Sequence, residues 1–300
     1  MTEPVVNDTV VNDTVVNAPV NLLDVRGLTV RYRRGRGQPP FEALHEVTLA
    51  IGPGETVALV GESGSGKTTL GSAILGLLPA ACGTIVFGGR DITRASARTR
   101  RALASDIQAV LQDPYGSLNP VRTVGQTLSE PLRAHPGPQQ RVGRKAASAA
   151  VRAALERVGL SADAAGRYPA QFSGGQRQRI AIARALMLSP RLVICDEPLS
   201  ALDLSVQAQV INLLKALQRD LCVSYLFITH DLAVVPHIAH RVAVLHRGQV
   251  VETGPASQVC TAPAHPYTRA LLAAAPVPDP ARQHARRANV TAAVTPMESR

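Results

Sequence analysis

A lysine that follows a glycine-rich turn and precedes two hydroxyls is equipped to bind a phosphate chain, and Gly61-Glu-Ser-Gly-Ser-Gly-Lys-Thr-Thr69 has that order. It fits the pattern G-x-x-x-x-G-K-[ST]. The glycines let backbone N–H groups curl around a β-phosphate, and the start of the next helix adds its partial positive charge. Gly61, Ser63, Gly64, Ser65, Gly66, Lys67, Thr68 and Thr69 are therefore the candidate nucleotide-binding residues. In this reading Lys67 reaches the β- and γ-phosphates and the Thr68 hydroxyl ligates Mg²⁺.

Such a loop needs an acid at the end of a neighbouring buried strand to hold the metal, and Leu192-Val-Ile-Cys-Asp196-Glu197 supplies one. Asp196 is the candidate metal holder, through water. Glu197, the next residue, can face the γ-phosphate and serve as base or polariser for an attacking water. Gln171-Phe-Ser-Gly-Gly-Gln-Arg-Gln-Arg179 offers a second set of N–H and hydroxyl donors at a predicted helix start. One nucleotide does not need two phosphate cradles on one face.

These residues require strands that end where the glycines begin. Thr56-Val-Ala-Leu-Val-Gly61 is a continuous apolar run leading into an apolar helix, the order of a parallel α/β sheet. The runs 192–195 and 225–229 read as two more buried strands, and further strands follow at 241–246 and 249–252. Between the first of these and the others lies an Ala/Arg-rich region, 113–188, that reads as helices, for example 144–158 ended by Gly159. It is expected to be a helical insertion. Folded sequence is expected from about Asn21, where Leu-Leu-Asp-Val-Arg-Gly-Leu-Thr-Val-Arg-Tyr alternates as a strand does. A helix is expected at 267–274, with a Pro/Arg-rich tail from Pro276 and a disordered Val-Val-Asn-Asp-Thr repeat within 1–20.

The chain has 300 residues, 45% hydrophobic and 18% charged, which excludes wholesale disorder. With 3% aromatic residues and no Trp, a surface built on stacking of bases or sugars is not expected. The balance of 32 basic against 22 acidic residues gives +10, which permits an anionic partner. The arginines are scattered apart from Arg31, Arg33, Arg34 and Arg36 and a cluster at Arg98, Arg100 and Arg101, and scattered arginines read as solvated surface. Cys82, Cys195, Cys222 and Cys260 are too dispersed for a zinc site or disulfide framework, and Cys195 reads as an ordinary strand residue. A reducing cytoplasm fits this usage, and no secretory signal is expected. The charge-free window 68–89 is broken by Gly71, Gly76, Pro79 and Gly83, so it reads as a buried helix, turn and strand rather than a membrane span.

At Phe172-Ser-Gly-Gly-Gln176 the sequence resembles the ATP-binding cassette (ABC) ATPases, whose signature motif is Leu-Ser-Gly-Gly-Gln. The resemblance implies an α/β fold: a P-loop NTPase (RecA-like) core sheet, an N-terminal antiparallel β part and an inserted helical subdomain. The expected division is 21–112 and 189–255 for the nucleotide-binding core, 113–188 for the helical subdomain and 256–300 for a C-terminal extension. It also implies that two cassettes pair head to tail, so that Ser173, Gly174, Gly175 and Gln176 hold the partner's ATP. Gln112 resembles the Q-loop glutamine that senses Mg²⁺ and the water, Asp203 the D-loop residue at the dimer interface, and His230 the switch histidine that contacts the γ-phosphate and steadies Glu197. Tyr32 resembles the aromatic that stacks on adenine, with Phe41 as its competitor.

A narrower resemblance rests on Gln112-Asp-Pro-Tyr-Gly-Ser-Leu-Asn-Pro120, Ser200-Ala-Leu-Asp-Leu-Ser-Val-Gln-Ala-Gln209 and His265-Pro-Tyr-Thr-Arg-Ala-Leu-Leu272, which look like the oligopeptide/dipeptide and nickel permease ATPases. It implies an ATP-hydrolysing, Mg²⁺-dependent subunit on the cytoplasmic face of the membrane. The implied partners are two transmembrane permease subunits, a second cassette of the same or a related chain, and, indirectly, an extracellular substrate-binding protein. Peptide uptake is the first expectation; nickel or glutathione uptake, and a soluble non-transport ABC ATPase, are the alternatives. No nucleic-acid partner is expected. Members of this group commonly carry a C-terminal cysteine cluster, and with no cysteine after Cys260 no iron–sulfur cluster is expected.

Overall fold

The computed structural model describes residues 21–274 apart from 34, 36, 113–115, 117 and 136–142. The tails expected at 1–20 and from Pro276 lie outside the described residues, as does part of the Gln112–Pro120 segment. Strand β1 (Leu23–Tyr32) pairs antiparallel with β2 (Phe41–Ile51), and the register sets Leu23 opposite Ile51 and Tyr32 opposite Phe41. The two aromatics thus meet at one end of the pair. β4 (Cys82–Phe87) pairs with the other edge of β1 and carries the two-residue β5 (Arg90–Asp91).

The second sheet holds β3 (Thr56–Val60), β6 (Ile107–Val110), β7 (Leu192–Asp196), β8 (Ser224–Thr229), β9 (Arg241–His246) and β10 (Gln249–Pro255) in the order β10-β9-β3-β8-β7-β6. All its pairings are parallel except that of β9 with β10. Every residue of β3, β7 and β8 is buried, as expected of strands covered on both faces. The carboxyl ends of parallel strands line up along one edge, and ligands of open α/β sheets sit in the crevice there.

Nine helices lie among the described residues: α1 (Lys67–Leu75), α2 (Ala97–Leu103), α3 (Val124–Ala134), α4 (Arg144–Arg157), α5 (Gly174–Leu186), α6 (Leu204–Leu221), α7 (Val235–Ile238), α8 (Ala256–Thr261) and α9 (Pro266–Ala274). The two-residue period of each strand divides the core between faces. Leu226 and Ile228 pack with α1 and the antiparallel sheet, whereas Tyr225 and Phe227 pack with the α3–α6 side. A third cluster joins Ala58, Val60, Val242 and Val244 to α7 and α8, with Tyr267, Leu271 and Leu272 of α9 packed against it.

One expectation changes, and one arginine of the cluster gains a role. The window 68–89 does contain a helix and a strand, but Leu77 is 71% exposed and the first half of β4 faces solvent, so it is not buried throughout. Arg100 is not plain solvated surface. Its guanidinium donates to the carbonyls of Ile74, at 2.8 Å, and Ile92. A cation there satisfies a carbonyl left open at the end of α1, beside the left-handed Gly76.

Candidate nucleotide-binding and hydrolysis site

The loop after β3 and the start of α1 line a cavity of about 710 Å³. Tyr32 and Phe41 flank it from the antiparallel pair, Gln112 follows β6, Glu197 follows β7 and His230 follows β8. Four parallel strand ends therefore bring together residues as distant in sequence as Glu62 and His230. Ser63, Gly64, Gly66, Lys67, Thr68 and Thr69 are on the wall. Gly61, Ser65 and Asp196 sit behind it as buried residues. Gly61 is pressed so closely to β9 that a Cβ would fall 2.2 Å from the Leu245 carbonyl oxygen.

This cradle suits a phosphate chain. α1 starts from Gly66 at φ 109° with no side-chain cap on its first N–H groups. Gly64, at φ 80°, opens onto free space, and the buried Ser65 Oγ has no hydrogen-bond partner among the described residues. Lys67 is 5% exposed, and its Nζ donates to the carbonyls of Gly61 and Glu62, each at 2.7 Å, with one donor proton left over. Burial pushes the Lys67 ammonium below its ordinary pKa, while Glu197, Asp196 and Glu62 pull the other way.

Thr68 Oγ1 donates to Asp196 Oδ1 at 3.3 Å, so a hydroxyl and a carboxylate, both hard oxygen ligands, stand side by side as Mg²⁺ binding requires. Burial raises the Asp196 carboxyl, reinforced by the neighbouring Glu197 charge and opposed by the Thr68 hydrogen bond and Lys67. Glu197 occupies the left-handed region at φ 46°, a costly backbone state for a residue with a Cβ. Both carboxylate oxygens are engaged: Gln112 Nε2 donates to Oε2 at 3.0 Å, and His230 Nδ1 lies 3.2 Å from Oε1. A carboxylate fixed from two sides at the mouth of a phosphate cradle can orient and deprotonate a water. Cys195 is wholly buried, and burial pushes its thiol up to about 12.

Tyr32 Oη is 3.2 Å from Thr69 Oγ1. Tyr32 and Phe41 are 39% and 47% exposed, and both are on the cavity wall.

The signature residues are not on this cavity. Ser173 caps α5 in a reciprocal box: its Oγ accepts from Gln176 N at 3.3 Å, and Gln176 Oε1 accepts from Ser173 N at 3.0 Å. Ser173 and Gln176 are exposed, and Gly174 and Gly175 half-buried. A Cβ on Gly175 would meet Val206 Cγ1 at 2.4 Å, so this glycine lets α5 approach α6. Asp203 caps α6 through Val206 N at 2.9 Å and Ser205 Oγ at 2.7 Å, which hold its carboxyl below the usual range.

Two residues near the cavity escaped the sequence reading. Leu271 of α9 is on its wall, and Tyr267 Oη accepts the backbone N–H of Glu62 at 3.2 Å. The segment 265–272 carried a resemblance but no chemistry of its own, so only tertiary packing reveals the contact.

Residues 44–200 match the family model described as ABC transporter, and residues 251–298 match that of the oligopeptide/dipeptide transporter C-terminal region. The chain is 51% identical to the glutathione import ATP-binding protein GsiA of Salmonella typhimurium over 271 residues, and equally so to that of Escherichia coli K12 over 274, in each case 89% of this chain and 43% of the relative. It thus spans less than half the length of these curated relatives. Among solved structures, CbiO1 of Clostridium perfringens, part of the ABC transporter complex cbiONQ, aligns with a TM-score of 0.70 at 28% identity over 80% of this chain and 90% of that one. The ATP-binding cassette MJ0796, a dimer bound to ADP and Pi, aligns with a TM-score of 0.69 at 28% identity over 78% and 98%. A family model that covers just over half of the 300 residues and takes in the phosphate cradle, Gln112, the signature and Glu197 places this chain in the ABC transporter family.

Proposed function

We propose that this chain is the ATP-hydrolysing subunit of an importer of the oligopeptide/dipeptide class. The observation that carries this is the Glu197 carboxylate, held between Gln112 and His230 at the mouth of the phosphate cradle. In this reading the backbone from Ser63 to Thr69, together with Gly61 behind it, shapes the triphosphate seat. Lys67 trades its two carbonyl partners for phosphate oxygens. Tyr32, with Phe41 beside it, faces the adenine. Thr68, Asp196 and Gln112 hold Mg²⁺, which neutralises phosphate charge when bound. Glu197 orients the attacking water and takes its proton, while His230 fixes the carboxylate and contacts the γ-phosphate.

Ser173 and Gln176 are exposed, Gly174 and Gly175 are half-buried, and none of the four is on this chain's own cavity wall, which supports their acting on ATP bound to a second cassette. Asp203 then stands at the joint between the two. ATP-driven closure of such a pair passes through the helical segment 113–188 to two transmembrane permease subunits, with the chain peripheral at the cytoplasmic face. Among the described residues no helix is long and apolar enough to cross a membrane. An extracellular binding protein supplies the substrate.

The C-terminal match supports peptides as cargo, and the 51% identity to proteins named for glutathione import favours glutathione as the specific alternative, itself a small peptide. The test is purification of the tagged full chain from detergent-solubilised native membranes, with its companions identified by mass spectrometry. Two multi-span permeases are expected. Recovery with cytosolic enzymes or nucleic acid and no permease would overturn import while leaving the ATPase chemistry standing.

A further inference from the structure

Hydrolysis uses the strand ends and leaves the segment His265-Pro-Tyr-Thr-Arg without a role, yet the fold anchors that segment with care. Glu252 on β10 accepts the N–H groups at its start, that of the preceding Ala264 at 2.7 Å and that of His265 at 3.1 Å. His265 Nδ1 then accepts Tyr267 N at 3.1 Å, in the first turn of α9. The Tyr267 ring packs on His246 at the end of β9, with centroids 3.8 Å apart. These contacts deliver the Tyr267 hydroxyl to the backbone N–H of Glu62, the second residue of the phosphate loop.

Glu62 is therefore held at both ends. Its N–H is taken by Tyr267, and its carbonyl oxygen takes Lys67 Nζ. Other external supports of the loop include β9 and the turn after it: Gly248 N donates to Ser65 O at 2.9 Å, and Gly61 lies against Leu245 O. Tyr267 is the side chain that the C-terminal region contributes to the loop backbone. One turn further along α9, Leu271 reaches the cavity wall.

We propose that Tyr267 is a positioning residue for the phosphate loop, so that docking of α9 and binding of nucleotide favour each other. This rests on the assignment of the cavity to ATP. The physical reason is that Tyr267 fixes the peptide whose carbonyl competes with phosphate for Lys67. Coupling of this kind is reciprocal: if docked α9 tightens nucleotide binding, bound nucleotide must protect α9 by the same factor.

The experiment compares the full-length wild type with Tyr267→Phe, which keeps the ring stack and loses the hydroxyl. Hydrogen exchange is followed by mass spectrometry with and without Mg²⁺ and the non-hydrolysable analogue AMP-PNP. In the wild type, AMP-PNP is expected to slow exchange both in the phosphate loop and in residues 266–274. In Tyr267→Phe the α9 protection should vanish, and the KM for ATP should rise about three- to tenfold, the size expected for one lost hydrogen bond, with kcat changed less than twofold. AMP-PNP protection of the loop but not of α9 in the wild type would overturn the coupling and leave the ATP assignment intact. A fall in kcat at constant KM would overturn the positioning role. Failure of the wild type to bind AMP-PNP at all would sink the ATP assignment, and this inference with it.

Discussion

Two glycine-rich helix starts in this chain look alike in sequence and differ in what their donors do. At α1, Gly66 provides no side-chain cap, the loop carbonyls are turned onto Lys67, and Ser65 Oγ is buried without a partner among the described residues. At α5, Ser173 and Gln176 satisfy one another in a closed capping box on an exposed surface. The first start offers donors that suit an anion, because uncapped first-turn N–H groups and a buried hydroxyl are costly unless a ligand takes them. The second is already stable. It gains from an anion only if one is brought to it from outside, as a second cassette would bring it. On the proposed function, one site would be built by the fold and the other by assembly.

The largest effect is expected at the residue that only the first site possesses. Glu197→Gln keeps the size and the polar contacts of the side chain but cannot accept a proton. ATP binding should be unchanged, while turnover falls by about 10²- to 10⁴-fold, the usual contribution of a general base. ATP should also accumulate a dimer on size-exclusion chromatography, since closure proceeds and reopening does not. Wild-type turnover in this variant would remove Glu197 from the chemistry.

Lys67→Ala comes next, with an effect on binding itself. It deletes a buried cation, taking the Lys67 donor from the Gly61 carbonyl and leaving the Glu62 carbonyl with Ser65 N alone. Two charge-assisted hydrogen bonds to phosphate, each worth roughly 1.5 kcal/mol or more, make a loss of about 100-fold in ATP affinity the expected calorimetric result. Affinity within threefold of wild type would mean that α1 is not the phosphate seat, and the contrast between the two helix starts would fail.

The contrast also explains what could be read without coordinates. Chemistry confined to one strand end and its next few residues was legible: Gly61 to Thr69 and Asp196 with Glu197 each follow a buried apolar run, whereas His230, which also follows one, took its role from the resemblance. β6 was not, because Ile-Gln-Ala-Val is too short to show a period, so Gln112 could be assigned only through resemblance. Arg100 looked like one of many surface arginines, since nothing in its neighbours signals that the end of α1 lies above it. The contact of Tyr267 with Glu62 spans 205 residues and depends on how α9 lies against β9. Local pattern reports what a segment can be, and long-range packing decides what it touches.

Ser173 sharpens the comparison with the smallest expected effects, because here a structural role and a catalytic one reside in one hydroxyl. Ser173→Ala removes the cap of α5 and should cost about 1 kcal/mol of stability in urea titrations. The isolated chain should still bind ATP within twofold of wild type, since the residue is not on its own cavity. Hydrolysis by the assembled pair should fall about tenfold, the size of one hydrogen bond to a charged group, when the hydroxyl no longer meets the partner's nucleotide. Ser173→Asn separates the two roles, because asparagine caps a helix as well as serine but places an amide where the hydroxyl was. Stability should return and turnover should not. Recovery of both would mean that Ser173 only holds α5 together, and that the second glycine-rich start is a helix cap rather than half of a shared site.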